Sequence, residues 1–190
     1  MDKKKYRRVN FRISQCSSED TDYPVSELLL QSPNAKGWQT KRFCQYPQTI
    51  VYELVEPTIV KQISILSHQS KIATKIVIHS RLDSEKEWTR LGYLSLESNV
   101  NSNYQARELK TVNVHDKASL YLRFSFEANY VNNHNIFNQV GVISLCVFGD
   151  KMVGADETEK PSTPNIGEFD KNTLAKLKSL EMQKKEALEN

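Results

Sequence analysis

Leu120-Tyr121-Leu122-Arg123-Phe124-Ser125-Phe126-Glu127 alternates apolar and polar side chains without a fault. A period of two is the signature of a half-buried β-strand, whose successive side chains point to opposite faces. Leu120, Leu122, Phe124 and Phe126 therefore form the core set, and the polar residues between them face outward. Similar β-rich runs occur at Val9–Ile13, Ile50–Leu54, Ile59–Leu66, Lys75–His79, Arg90–Leu96, Leu109–Val114 and Val140–Phe148. Turn-forming segments separate them, among them Glu19–Pro24, Ser32–Gly37, Glu56-Pro57, Arg81–Glu87, Glu97–Asn103 and Asn129–Asn138. About eight short strands with no helical pattern between them predict an all-β, antiparallel sandwich over residues 9–150.

Outside that core the composition shifts. A chain of 190 residues with 38% hydrophobic and 26% charged residues is polar for one globule, which predicts that part of it is tail. Residues 1–8 crowd Lys3, Lys4, Lys5, Arg7 and Arg8 against one acid, Asp2, and read as a basic tail. Residues 151–169 carry Gly154, Pro161, Pro164 and Gly167 with few apolar side chains, the pattern of a flexible linker. Residues 170–190 lack Pro and Gly and place Leu174, Leu177, Leu180 and Leu188 near one helical face. A lone helix of about 20 residues is marginal in water. This segment is expected to begin a coiled coil with a partner, or the chain to be cut from a longer one.

The charge is mild: +4 over residues 1–150 and −1 over residues 151–190. That lacks the basic stripe of a nucleic-acid binder. No run approaches the roughly 18 apolar residues of a membrane span, and the basic start has no apolar stretch behind it. Neither nucleic acid nor membrane insertion is expected. Cys16, Cys44 and Cys146 are odd in number and widely spaced, which suits free thiols in a reducing compartment. His68, His79, His115 and His134 stand singly, and no nucleophile elbow, H-E-x-x-H, phosphate loop or dinucleotide fingerprint is present. No catalytic residue, metal ligand or cofactor is assigned. Two segments are less generic: Gly37–Gln48, with Trp38, Phe43 and Tyr46, and the asparagine-rich Asn129–Val140. The second reads either as a structured loop or as a recognition rim. Candidate partner-binding residues are Lys3, Lys4, Lys5, Arg7 and Arg8 at the start, and Asn132, Asn133, His134 and Asn135 in this loop.

Gly37-Trp38, Arg42-Phe43-Cys44-Gln45 and Pro47-Gln48 resemble the N-terminal jelly-roll domain of the family of the hundred-and-four-kilodalton centrosomal protein. His68-Gln69, Lys75-Ile76, Arg90-Leu91-Gly92-Tyr93, Ala106–Lys110, Val131-Asn132, Asn135-Ile136, Asn138-Gln139-Val140 and Gly149-Asp150 continue the likeness in order. The resemblance implies a galactose-binding-like, discoidin-like jelly roll in a protein of the ciliary tip, axoneme, basal body and centriole. It implies a non-enzymatic module of a microtubule-associated protein in the cytoplasmic cytoskeleton. Its expected partners are tubulin at microtubule plus ends or neighbouring tip proteins. The alternative is a small-ligand module binding carbohydrate or calcium. Against calcium, residues Gln31–Gly37 hold a lysine and no carboxylate where many discoidin-type relatives carry acidic ligands.

Overall fold

The computed structural model describes residues 6–30 and 32–152. In it Leu122, Phe124 and Phe126 are fully buried and Leu120 is partly buried against the same core. The alternation places the core of the last long strand correctly. The strands are β1 (Arg7–Arg8), β2 (Phe11–Cys16), β3 (Trp38–Gln39), β4 (Gln48–Ser67), β5 (Lys75–Arg81), β6 (Thr89–Ser95), β7 (Leu109–Phe126) and β8 (Gly141–Lys151). All the pairings between them are antiparallel.

Two strands serve both layers of the sandwich. The first part of β4 lies between β2 and the last part of β7, with β5 and β6 beyond β7. The second part of β4 lies between the first part of β7 and β8, and β8 carries β1 and β3 on its far side. The pattern of the sequence divides each of these long strands in two, at Glu56-Pro57 and before Leu120. The structure joins them. The register jumps from Glu53↔Tyr121 to Thr58↔Ser119, so residues 54–57 bulge opposite a single residue of β7. A bulge bends a strand and leaves residues unpaired, and a proline, which lacks an amide hydrogen, is tolerated there. The Thr58 hydroxyl closes the bulge by donating to the Glu56 carbonyl at 2.9 Å.

Between the layers, Ile50, Tyr52, Leu122, Phe124, Phe126, Ile76 and Ile78 face Ile63, Ile65, Leu145 and Val147 in one apolar cluster. Tyr52 stacks on Phe11 at 3.7 Å and meets Phe124 edge-on at 5.2 Å. Two short 3-10 turns, Val25–Leu30 and Val100–Ser102, sit between strands where no helical pattern is visible. The first follows Pro24, has the Val25 amide donating to the Glu19 carboxylate at 2.7 Å, and sinks Leu28 into the core. Arg7 and Arg8, counted with the tail in the sequence reading, are instead drawn into the sheet opposite Gly149 and Phe148. Lys151, read as the first residue of the 151–169 linker, instead ends β8 and pairs with Thr58. Lys3, Lys4 and Lys5, the rest of that linker from residue 153 onward and the helix expected at 170–190 lie outside the described residues.

Replacing Phe124 with alanine is expected to cost about 3–5 kcal/mol in denaturant melts, because the ring is fully enclosed by core side chains. A loss under about 1 kcal/mol would mean that this strand is not part of a well-packed core.

Candidate functional site

At the end of the sandwich where β8 begins, four loops are bonded to one another. The Phe43 amide donates to the Phe137 carbonyl at 2.9 Å, and the Tyr46 hydroxyl to the Asn138 carbonyl at 2.8 Å. The Asn99 side chain donates to the Gln69 carbonyl at 3.2 Å, and the Tyr130 hydroxyl to the Leu96 carbonyl at 2.9 Å. Sequence distance hides this assembly; the sheet creates it.

Beneath the loops runs a buried polar chain. Gln139 is fully buried, and its amide donates to the Asp20 carboxylate at 3.0 Å and to the Thr40 carbonyl at 2.6 Å. Its oxygen accepts from the Lys71 ammonium at 2.8 Å, which also donates to the Gln39 side chain. Arg42 reaches the same carboxylate at 3.4 Å and lies 4.5 Å over the Phe137 ring. Burial disfavours the Asp20 carboxylate, but the Asp22 amide, Gln139 and Arg42 outweigh it and hold its pKa below the usual value. Lys71 is pushed down by burial and by Arg42, against the pull of Asp20. No fully buried side-chain nitrogen or oxygen of these residues is left without a hydrogen-bond partner. Asp20, Gln39, Lys71 and Gln139 were not singled out as site residues from sequence, since such a network has no spacing signature.

Above this base the candidate loop residues separate into two kinds. Asn135 is buried; its amide donates to the Gln139 carbonyl at 2.7 Å while its oxygen accepts the Gln139 amide at 3.0 Å. The Asn132 side chain donates to the Ser70 carbonyl at 2.9 Å and accepts the His134 amide at 3.0 Å. These two brace the loop, whereas Asn133 and His134 are exposed. His134 lies 4.9 Å from the Tyr104 ring. Phe43, Val131 and Ile136 are 67%, 85% and 67% exposed on the same rim. Phe43 (φ 53°) and Tyr104 (φ 59°) both occupy the left-handed region, which is uncommon for bulky side chains.

The basic candidates lie elsewhere. Arg7 and Arg8 pair near the far end of β8, about 25 Å along the strand from the rim at a rise of roughly 3.4 Å per residue. Arg7 is engaged with Glu56 at 2.9 Å, and Arg8 lies 5.8 Å from the Phe148 ring. Among the described residues, Arg7 and Arg8 therefore do not share one site with Asn132, Asn133, His134 and Asn135.

The residues that carry the family resemblance build the scaffold under the rim. Trp38 is fully buried and its indole donates to the Ser18 carbonyl at 3.0 Å. Gly37 has φ +77°, and a Cβ there would stand 2.4 Å from the Val142 carbonyl oxygen, so only glycine fits. His68 Nδ1 accepts the amides of Ser70 and Lys71, both at 3.2 Å. That acceptor role requires the neutral ring, and burial, then Lys71 and Arg107, push its pKa down to about 4. Among the described residues no three His, Cys, Asp or Glu side chains gather as metal ligands.

Because folding lowers the His68 pKa, the unfolded chain binds the proton more tightly. Its stabilisation is thus complete above about pH 6.5, the unfolded value, and lost as pH falls towards about 4. Denaturant melts of the wild type and His68→Gln should therefore diverge above about pH 6.5 and converge near pH 4. A difference independent of pH would contradict the neutral-acceptor role.

Comparison with known proteins follows the same residues. A family model described as "Centrosomal protein CEP104, N-terminal domain" matches residues 37–149. The chain is 32% identical over 167 residues to the centrosomal protein of 104 kDa of Homo sapiens, covering 84% of this chain and 18% of that protein. It is 31% identical to the Mus musculus protein with the same coverage. The chain thus spans less than a fifth of the length of the curated relatives it matches. Among solved structures it is similar to CBM32-3 of a family 31 glycoside hydrolase from Clostridium perfringens. The TM-score there is 0.62 at 20% identity, over 74% of this chain and 92% of that one. It is also similar to the family 32 module of C. perfringens NanJ in complex with galactose, with TM-score 0.59 at 17% identity over 74% and 97% of the two chains. At these identities the solved structures speak for the fold, a jelly-roll sandwich of the galactose-binding type. The match over residues 37–149 spans the rim, both long strands and the polar base except Asp20, and the chain belongs to the family of the CEP104 N-terminal domain.

Proposed function

We propose that this domain is a non-enzymatic protein-interaction module of a centrosomal and ciliary-tip protein. It docks through the loop rim on tubulin or on neighbouring proteins of the axoneme tip. Membership in a family named for a centrosomal protein supports the cellular setting: centrosome, basal body and cilium. The observation that carries the docking role is the pair of aromatic residues, Phe43 and Tyr104, held in the left-handed region on a rim whose exposed side chains include Phe43, Val131 and Ile136. Strained aromatic residues on braced loops are costly unless something uses them, and a rigid rim loses little entropy on binding. Partner contact through the coiled coil expected at 170–190 belongs to the same proposal.

The second reading is a small-ligand module. It rests on a recess of about 290 Å³ lined by Glu19, Asp20, Thr21, Lys41 and Arg42 beside the same rim. Its polar, mixed-charge lining would suit a hydroxyl-rich ligand such as a carbohydrate.

Crosslinking mass spectrometry on isolated ciliary tips carrying the chain separates the two. The exposed Lys41 is expected to link to tubulin or a tip protein. The double variant Phe43→Asn, Ile136→Asn should lose those links while its melting temperature stays close to that of the wild type, because both side chains are 67% exposed and asparagine tolerates the left-handed region at position 43. Links that survive the variant, or binding to galactosides in place of any protein link, would overturn the docking role.

A further inference from the structure

The outer face of the layer built from β2, β5, β6, the first part of β4 and the last part of β7 lies away from the rim's apolar side chains. On β5, Lys75, Val77, His79 and Arg81 face outward in alternation. Register sets Arg123 of β7 and Arg90 of β6 on either side of His79, and Tyr121 beside Arg81. Aromatic rings hold the cations in place. Arg81 lies 4.4 Å and Arg123 4.7 Å from the Trp88 ring, and Arg81 lies 5.0 Å from Tyr121. Lys75 and Arg90 lie 4.8 Å and 5.6 Å from the exposed Tyr93. Cations thus line the full length of β5, about 20 Å at roughly 3.4 Å per residue.

Their charge is not answered within the described residues. No ion pair reaches Lys75, Arg81, Arg90 or Arg123. Of the carboxylates on the same face, Glu53 is taken by Arg12 at 2.7 Å, and Glu127, whose amide bonds the Lys75 carbonyl at the end of β7, forms no ion pair with the strip. Asp83, Glu85 and Glu87 stand exposed in the loop between β5 and β6, where Arg81 donates to the Ser84 carbonyl instead. Arg81 Nε, Arg123 Nε and His79 Nδ1 are buried without a hydrogen-bond partner. Burial and then Arg81 push the Arg123 pKa down; burial, then Arg123 and Arg90, do the same to His79. Like charges crowded together with unpartnered polar atoms are a cost to folding that calls for an explanation.

We propose that this face is a docking strip for an extended acidic polypeptide, rich in glutamate or aspartate, whose carboxylates meet Lys75, Arg81, Arg90 and Arg123. Charge complementarity selects the occupant, since guanidinium groups pair with carboxylates in a planar, two-pronged geometry. The rings argue for polypeptide over nucleic acid. Single-stranded binders offer aromatic faces on which bases stack, whereas here the Trp88, Tyr93 and Tyr121 rings already carry guanidinium or ammonium groups. The inference deepens the interaction-module reading and rests on it for the partner being a protein; the face and its chemistry are separate from the rim.

The test is fluorescence anisotropy of a labelled ten-residue polyglutamate peptide with the full 190-residue chain. Binding is expected at about 50 mM salt and should weaken markedly by about 200 mM as screening tightens. Arg90→Glu, at an exposed residue whose side chain makes no hydrogen bond or ion pair among the described residues, should weaken binding about tenfold or more. Arg123→Met should do the same while keeping or raising the melting temperature, because it removes a buried unpartnered nitrogen and a repulsive neighbour. The rim variant Phe43→Asn should bind the peptide as the wild type does. No binding by the wild type, or no loss in Arg90→Glu, overturns the proposal even if Arg123→Met fails to fold. Displacement of the peptide by an oligothymidylate at equal or lower concentration also overturns it, in favour of nucleic acid. If the peptide fails while rim-dependent links to tip proteins persist, the strip is wrong and the module reading stands.

Discussion

The continuous pairing of β4 with β7 is the constraint on which the rest of the structure depends. Both strands bend and pass from one layer to the other, so the ladder from Gln48↔Phe126 to Leu66↔Leu109 crosses the whole sandwich. The bulge at residues 54–57 permits this, because a straight β4 would leave one layer without its central strand. Once the ladder is set, the inward residues of both layers, among them Tyr52 and Phe124 from one and Ile63 and Leu145 from the other, share one core. The same bend decides which faces remain outside. It turns Arg123 onto the basic strip and brings the loops before β4 and before β8 to one end.

That end is where the family signature has its physical meaning. Gly37, Trp38, Gln48, His68 and Gln139 fix the loops of the rim. Gln48 accepts from the Ser18 hydroxyl and donates to the Gln45 carbonyl, both at 2.5 Å. Gln139 links Asp20, Thr40 and Lys71 beneath the loops. A fully satisfied buried network specifies one arrangement, because a shifted loop would strand several polar groups at once. The rim residues Phe43, Val131, Asn133 and Ile136 are then free to vary in what they contact without loosening their support. The likeness to carbohydrate-binding modules is a likeness of fold.

How much of this was legible beforehand differs from element to element. Leu122, Phe124 and Phe126 declared themselves because a strand with one buried face must alternate, and nothing local competes with that signal. The continuity of β4 was hidden, since Glu56-Pro57 looks like a turn and only the partner strand reveals a bulge. Arg7 and Arg8 looked like solvated tail because a two-residue strand has no period of its own; pairing with β8 makes it one. In the loop, sequence pointed to Asn129–Val140 but gave no means to tell Asn132 and Asn135, which brace it, from Asn133 and His134, which face outward. The strip was illegible for a different reason. Arg81, Arg90 and Arg123 sit on three strands and are scattered in sequence, so neither charge runs nor net charge reveals them.

The most direct test of this account is native-state amide exchange in β4 at increasing denaturant. Ile50 and Tyr52 lie in one layer, Ile63 and Ile65 in the other, and all four are central in the sheet with partners on both sides. If β4 and β7 lock the layers into one unit, these amides open only with global unfolding and share a single opening free energy. If Ile63 and Ile65 open about 2 kcal/mol or more below Ile50 and Tyr52, the layers unfold separately and the shared-strand constraint is wrong.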